Sequence, residues 1–144
     1  MCRVLRRASR MLGRRGAFLT SFGTLWTLYG FGQLVEPMPT RQGIRLLLYL
    51  MPLSAWACCW IVAGLVAVAA AWLPEGRDWL AFPALLLMVV PWMCSYVVSW
   101  WPLDDNPKRW VTALIWAVAA VPVIVVAGWR EPPRPKRVEA ADER

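Results

Sequence analysis

Residues 79–129 read WLAFPALLLMVVPWMCSYVVSWW (79–101), PLDDNPKR (102–109) and WVTALIWAVAAVPVIVVAGW (110–129). A helix needs about 20 consecutive apolar residues to cross the hydrocarbon core of a bilayer, and each uncharged run is long enough. Tryptophans stand at both ends of each run, and the amphipathic indole favours the membrane–water interface. This stretch therefore predicts a transmembrane helical hairpin.

The rest of the chain has the composition of a membrane protein. Of its 144 residues 59% are hydrophobic, whereas soluble domains contain roughly 45–50% apolar residues. No Asp, Glu, Lys or Arg occurs in four runs, at 17–35, 46–73, 79–103 and 110–129. We therefore predict an all-α polytopic membrane protein whose bundle occupies residues 17–129, with spans at about 17–35, 52–73, 79–103 and 110–129.

The first of these runs is the least apolar, which leaves three spans as an alternative. Threonines, a serine and three glycines lower its hydropathy, and at 19 residues it only just reaches the required length. It either crosses the bilayer or dips in and returns. If it crosses, Gly23, Thr27 and Gly30 form a strip of small residues against which another helix can pack closely.

The second run exceeds the length of one upright span, and Pro52 divides it. We expect residues 44–51 to approach the membrane at the interface and residues 53–73 to form the span, although one tilted helix would also fit. Small residues again favour close helix packing, both here and in the fourth run. They are Ala63, Gly64, Ala67 and Ala71, then Ala113, Ala117 and Ala120.

Two prolines interrupt the hairpin near the middle of its helices. Pro91 leaves the carbonyl of Leu87 without its helical hydrogen bond, and Pro122 does the same to the carbonyl of Val118. A freed carbonyl within lipid needs another partner. Pro91 and Pro122 are therefore predicted helix kinks or hinges.

Both termini are rich in basic residues. Residues 1–16 contain six arginines and no acid, with apolar residues at helical spacing, which predicts either a short amphipathic helix on the membrane surface or a disordered segment. Residues 130–144 are rich in proline and charge, which predicts a disordered tail. Because the basic residues flank apolar runs instead of forming one patch, we expect anionic lipid headgroups as the partner and not nucleic acid.

The distribution of basic residues favours four spans with both termini in the cytoplasm. In that topology 12 of the 16 Lys and Arg residues lie on the inner side, whereas only 10 do so with three spans. We expect six tryptophans to lie at the two interfaces as anchors. These are Trp72, Trp79, Trp100, Trp101, Trp110 and Trp129.

The sequence contains few residues that could catalyse a reaction or bind a cofactor. It has no histidine and no ionisable acid or base inside any run, so we expect no enzyme, no coupled carrier, no small-molecule substrate and no cofactor. Asp104 and Asp105 are an adjacent carboxylate pair, but the sequence DDNP favours a turn, with Asn106 as N-cap and Pro107 at the first helical position, over catalysis or a metal site. The cysteines Cys58, Cys59 and Cys94 are expected in the core.

The entry RRGAFL, the segment LYGFG, the tryptophan-rich spans and the exit GWREPP together resemble small multi-span membrane proteins of actinobacterial phages and prophages. This resemblance implies a bacterial inner membrane as the setting and assigns no functional residue. We expect a non-enzymatic protein that acts by helix association, either with itself or with other membrane proteins. The alternative is a holin-like phage protein that oligomerises to permeabilise the membrane.

Overall fold

The computed structural model describes residues 2–36, 43–73, 77–101 and 108–129, with only the backbone described for residues 2–12. The helices are α1 (Cys2–Val35), α2 (Arg45–Leu50), α3 (Leu53–Ala70), α4 (Ala81–Trp100) and α5 (Arg109–Ala127). No strand occurs in these described ranges. All regular secondary structure in the described residues is helical, which confirms the all-α prediction. The helices α3, α4 and α5 are long and apolar enough to cross a membrane, which supports a polytopic membrane protein. Helix α1, which contains the predicted first span, is not among these three.

Helix α1 bends at Gly13, whose φ of 71° and ψ of 178° lie outside the helical region. Side chains with a Cβ rarely adopt this conformation, so glycine is required at the bend. The backbone is helical on both sides of it, from Cys2 onward. Whether residues 2–12 rest on the membrane surface, as one of the two sequence interpretations predicts, stays a prediction.

The second uncharged run divides at Met51 and Pro52 into the short helix α2 and the long helix α3. Pro52 has a ψ of 154°, so the backbone is extended there. The Trp56 indole Nε1 donates a hydrogen bond of 2.9 Å to the Leu47 carbonyl. This bond fixes α2 against the first turn of α3.

Helices α1 and α3 run antiparallel and approach each other through glycines. A Cβ built on Gly23 would lie 2.6 Å from the Gly64 carbonyl oxygen, and one built on Gly30 would lie 2.6 Å from that of Ala57. On α3, Ala63 and Ala67 are buried beside this contact. The small-residue strip predicted from Gly23, Thr27 and Gly30 is confirmed, and it contacts α3 along most of its length.

Helix α4 lies between α3 and α5 and supplies much of the core. Leu85, Val89 and Trp92 on α4 are fully buried, as is Val123 on α5. Ser95 and Ser99 are also buried, so the polar half of α4 faces inward. The outward faces of α3, α4 and α5 carry many exposed large apolar side chains, which suits helices in contact with lipid.

The structure corrects two expectations. Cys58 and Cys94 are exposed and not in the core, because they lie on the outward faces of α3 and α4. Helix α5 begins at Arg109 with Lys108 at its cap, where Lys108 accepts a hydrogen bond from the Val111 amide. The described helix is therefore not capped by Asn106, and Asp104 to Pro107 lie outside the described residues, as does the tail from 130 onward.

Candidate functional site

Four aromatic rings meet at the centre of the bundle. Tyr29 comes from α1, Trp60 from α3, Trp92 from α4 and Trp116 from α5, and we call this set the aromatic junction. All six distances between their ring centroids fall between 4.8 and 5.9 Å. Each ring therefore contacts the other three, and the junction links all four long helices.

The aromatic junction is too tight to serve as a cage for a cation. Four points separated by such distances enclose a centre only about 3.4 Å from each centroid, which is already the contact distance between packed carbon atoms. Four of the six pairs meet edge to face, the three that include Tyr29 and the pair of Trp60 with Trp92. Aromatic rings prefer this arrangement in packed cores. The junction is therefore a packing centre and not a ligand site.

Polar atoms in and near the junction lack partners among the described residues. They are the Tyr29 hydroxyl oxygen, the Gln33 Oε1, the Trp60 Nε1 and the Trp92 Nε1. By contrast, the Trp26 Nε1 donates to the Leu85 carbonyl at 3.3 Å. A buried polar atom without a hydrogen bond lowers the stability of the fold where water is excluded. Each of these atoms therefore marks a position where a ligand with a suitable hydrogen-bonding group would be stabilising.

Arg15 contacts residues from three segments at one end of the bundle. Its Nε lies 2.5 Å from Asp78 Oδ2 in an ion pair, and its Nη1 donates to the Trp129 carbonyl at 2.9 Å. Its guanidinium also lies 4.6 Å from the centre of the Phe82 ring. Asp78 and Phe82 are both buried. The Arg15 cluster, comprising Arg15, Asp78, Phe82 and Trp129, therefore joins α1, the start of α4 and the end of α5.

The opposite end is organised around Gly43. Its carbonyl accepts a hydrogen bond of 2.8 Å from the buried Ser95 hydroxyl. Its φ of 92° favours glycine, and a Cβ there would lie 2.6 Å from the Tyr96 ring and 2.7 Å from an Arg109 nitrogen. The chain before α2 is thus held against α4 and the start of α5.

Two grooves open on the surface. The first, of about 670 Å³, lies between the end of α1 and the break between α2 and α3, and we call it the Gln33 groove. The second, of about 300 Å³, lies between α4 and α5 and is entirely apolar. We call it the α4–α5 groove; it is lined by Met93, Val97, Trp100, Trp110, Ala113, Leu114 and Ala117.

The residues singled out from sequence are spread over the molecule instead of forming one site. Pro91 and Pro122 lie inside α4 and α5. Leu87 and Val118, whose carbonyls they free, have exposed side chains. The six predicted anchor tryptophans are exposed at or near helix ends, from 42% for Trp100 to 74% for Trp101. Their role at the interface stays a prediction.

The sequence analysis missed the aromatic junction and the Arg15 cluster. Arg15 and Asp78 are separated by 63 positions, and the sequence patterns relate the charges of their segments to membrane orientation and lipid contact, not to each other. A signal existed for the junction, because Trp60, Trp92 and Trp116 each stand in the interior of a span and not at its end. Tryptophan at that depth points to packing within the bundle.

Comparison of the chain with family models, with curated proteins and with solved structures gave no match. The described residues contain no group of three or more His, Cys, Asp or Glu that could hold a metal ion. The Gln33 groove and the α4–α5 groove both have a shape that could receive a partner.

Proposed function

We propose that this chain is a four-span protein of a bacterial inner membrane, with both termini in the cytoplasm, that acts without catalysis by associating with other transmembrane helices. The α4–α5 groove is the proposed contact, and the proposed partner is a second copy of this chain. The observation that carries this proposal is the exposure of α5. Its mean hydropathy of 2.4 exceeds those of α3 and α4, yet only 22% of its apolar stretch is buried, compared with 44% for α3.

The shape of the α4–α5 groove supports this use. Ala113 and Ala117 are four residues apart on α5, so they lie on one face of the helix and leave room between larger neighbours. In lipid, helices associate mainly through close packing at such small residues, because the hydrophobic effect does not distinguish lipid from protein. A helix of a second copy that enters the groove gains this packing.

Antiparallel packing of α1 against α3 supports the fourth span. Residues 16–35 of α1 lie beside α3 along most of its length, and Arg15 brings the start of this segment to the end of the bundle that holds Asp78. A segment that dipped in and returned would not keep both contacts. The excess of basic residues on the inner side supports cytoplasmic termini.

Filling the groove tests the proposed association. We expect Ala117→Leu to lower the dimer fraction of fluorescently labelled protein in liposomes by at least fivefold, as counted by single-molecule photobleaching. Val118→Leu is the matched control, because it enlarges an adjacent side chain that is 70% exposed and does not line the groove. A dimer fraction that is equal in the two variants and in the wild type would show that this groove is not the contact.

The holin-like alternative predicts a different result. Because the aromatic junction fills the centre of one bundle, a single copy offers no path through the described bundle, and permeabilisation would have to take place between copies. Expression in a bacterium loaded with a potential-sensitive dye separates the two functions. Sudden depolarisation that Ala117→Leu prevents would favour the holin-like function, whereas normal growth at high membrane abundance favours a non-lytic assembly.

A further inference from the structure

The Gln33 groove combines a buried polar atom with walls that are partly apolar and partly polar. Gln33 is 6% exposed, and its Oε1 has no hydrogen-bond partner among the described residues. The Gln33 amide lies close to the hydroxyl of Tyr29, one turn earlier on α1, but neither that hydroxyl oxygen nor Gln33 Oε1 has a partner at hydrogen-bond distance among the described residues. Since an amide oxygen is an acceptor, Gln33 Oε1 can receive a hydrogen bond from a donor on a molecule that occupies the groove.

The opposite wall of the groove supplies donors. Helix α3 begins after Pro52 with no side-chain cap. The first hydrogen bonds of this turn are made by the amides of Ala55 and Trp56, which donate to the Pro52 carbonyl. The amides of Leu53 and Ser54 precede them at the positive end of the helix dipole, where anions such as phosphate bind.

The remaining walls include several apolar side chains. Leu34, Leu48 and Met51 line the groove together with Tyr49, which is 91% exposed. The groove lies near the end of α1 and the start of α3, one of the three helices able to cross a membrane. A ligand here meets an anion site, an acceptor and an apolar wall within one space.

We propose that the Gln33 groove binds a phospholipid whose headgroup carries an N–H or O–H donor. The phosphate lies at the start of α3, the donor of the headgroup bonds to Gln33 Oε1, and an acyl chain packs against the leucines. Ethanolamine and glycerol headgroups meet this requirement. Choline does not, because its trimethylated nitrogen has no hydrogen to donate.

The series from phosphatidylethanolamine through its mono- and dimethyl forms to phosphatidylcholine tests this requirement. The first three retain at least one N–H donor, and only the last step removes it. With the delipidated full chain in detergent and lipids of equal acyl chains, native mass spectrometry should show a drop in affinity of about tenfold at the last step, the size expected for loss of a charge-assisted hydrogen bond. Phosphatidylglycerol, whose headgroup has O–H donors, should bind about as tightly as the three lipids that retain an N–H donor. A gradual decline across the series, or equal binding of choline and ethanolamine lipids, would contradict the proposal.

Variants of the full chain test whether Gln33 is responsible for the preference for donor-bearing lipids. Gln33→Leu should abolish the preference for donor-bearing lipids and should not lower thermal stability without lipid, because it removes a buried polar atom that lacks a partner. Thr24→Val is the matched control, since it removes a polar group from an exposed position of α1 outside the groove. A preference that is retained in Gln33→Leu, or lost equally in Tyr29→Phe, would overturn the assignment to Gln33.

A soluble analogue distinguishes a lipid from a free phosphate ester as the ligand. Soluble glycerophosphoethanolamine that bound as tightly as the lipid would show that a free phosphate ester, and not a lipid, is the ligand.

Discussion

At the scale of single residues, glycines set the distance between α1 and α3. A methyl group on Gly64 would collide with the Gly23 carbonyl and with Thr27. Backbone atoms on a packed helix cannot yield as the end of a long side chain can, so the two helices would have to separate.

We expect Gly64→Ala to destabilise the bundle by roughly 1–3 kcal/mol, measured by thermal or denaturant unfolding in detergent. Gly32→Ala is the control, because a Cβ at Gly32 would meet no atom within 4 Å. It should be neutral or slightly stabilising, since alanine favours helix over glycine. A Gly64→Ala variant as stable as Gly32→Ala would mean that the close approach at Gly64 does not limit the packing of α1 against α3.

The ion pair between Arg15 and Asp78 is the second residue-scale feature with a measurable effect. The side chains are 19% and 7% exposed, so removing one partner leaves a charge in a site with little water. We expect Asp78→Asn to cost about 2 kcal/mol, and a double-mutant cycle with Arg15→Met to reveal coupling of about 1 kcal/mol or more. Arg77→Gln, which changes the exposed neighbouring residue, should have no effect. Additive effects of the two single variants would mean that the pair contributes nothing.

At the scale of elements, the prolines of α4 have unequal consequences. Pro83 lies in the first turn, where the amide hydrogen that proline lacks would have no partner within the helix in any case. Pro91 lies in the interior and removes a bond to the Leu87 carbonyl. Only Pro91 is therefore expected to let the two halves of α4 move.

Spin labels at Leu80 and Val97, in a background without other cysteines, measure this movement. Both positions are exposed and lie on opposite sides of Pro91. We expect Pro91→Ala to narrow the distribution of distances between the labels, and Pro83→Ala to leave it unchanged. An unchanged distribution in both variants would identify Pro91 as a fixed kink and not a hinge.

At the scale of the whole molecule, the Arg15 cluster determines which ends lie together. It brings α1 to the same end of the bundle as Asp78 and Trp129, whereas Gly43 and Arg109 meet at the other end. The four-span arrangement requires this grouping, and the three-span alternative would place Arg14 on the side of Lys108.

Single cysteines at Arg14, Arg77 and Lys108, all exposed in the bundle, allow the two topologies to be compared with an impermeant thiol reagent. We expect Arg14→Cys and Arg77→Cys to react from the same side of the membrane, and Lys108→Cys to react from the other. If Arg14→Cys reacts together with Lys108→Cys, residues 17–35 do not cross.

The sequence by itself determined the class of the protein, because charge and hydropathy along the chain decide which segments can enter a bilayer. The three apolar spans, the break at Pro52 and the small residues of α1 could all be read from local patterns of a few residues. Only the tertiary structure decided the aromatic junction, the Arg15 cluster and the Gln33 groove. Each joins residues far apart in the chain, and their contacts depend on which faces of the helices meet. Gln33 illustrates the difference: in the sequence it is one polar residue in an uncharged run, and the packing of α1 against α3 is what buries it beside a groove.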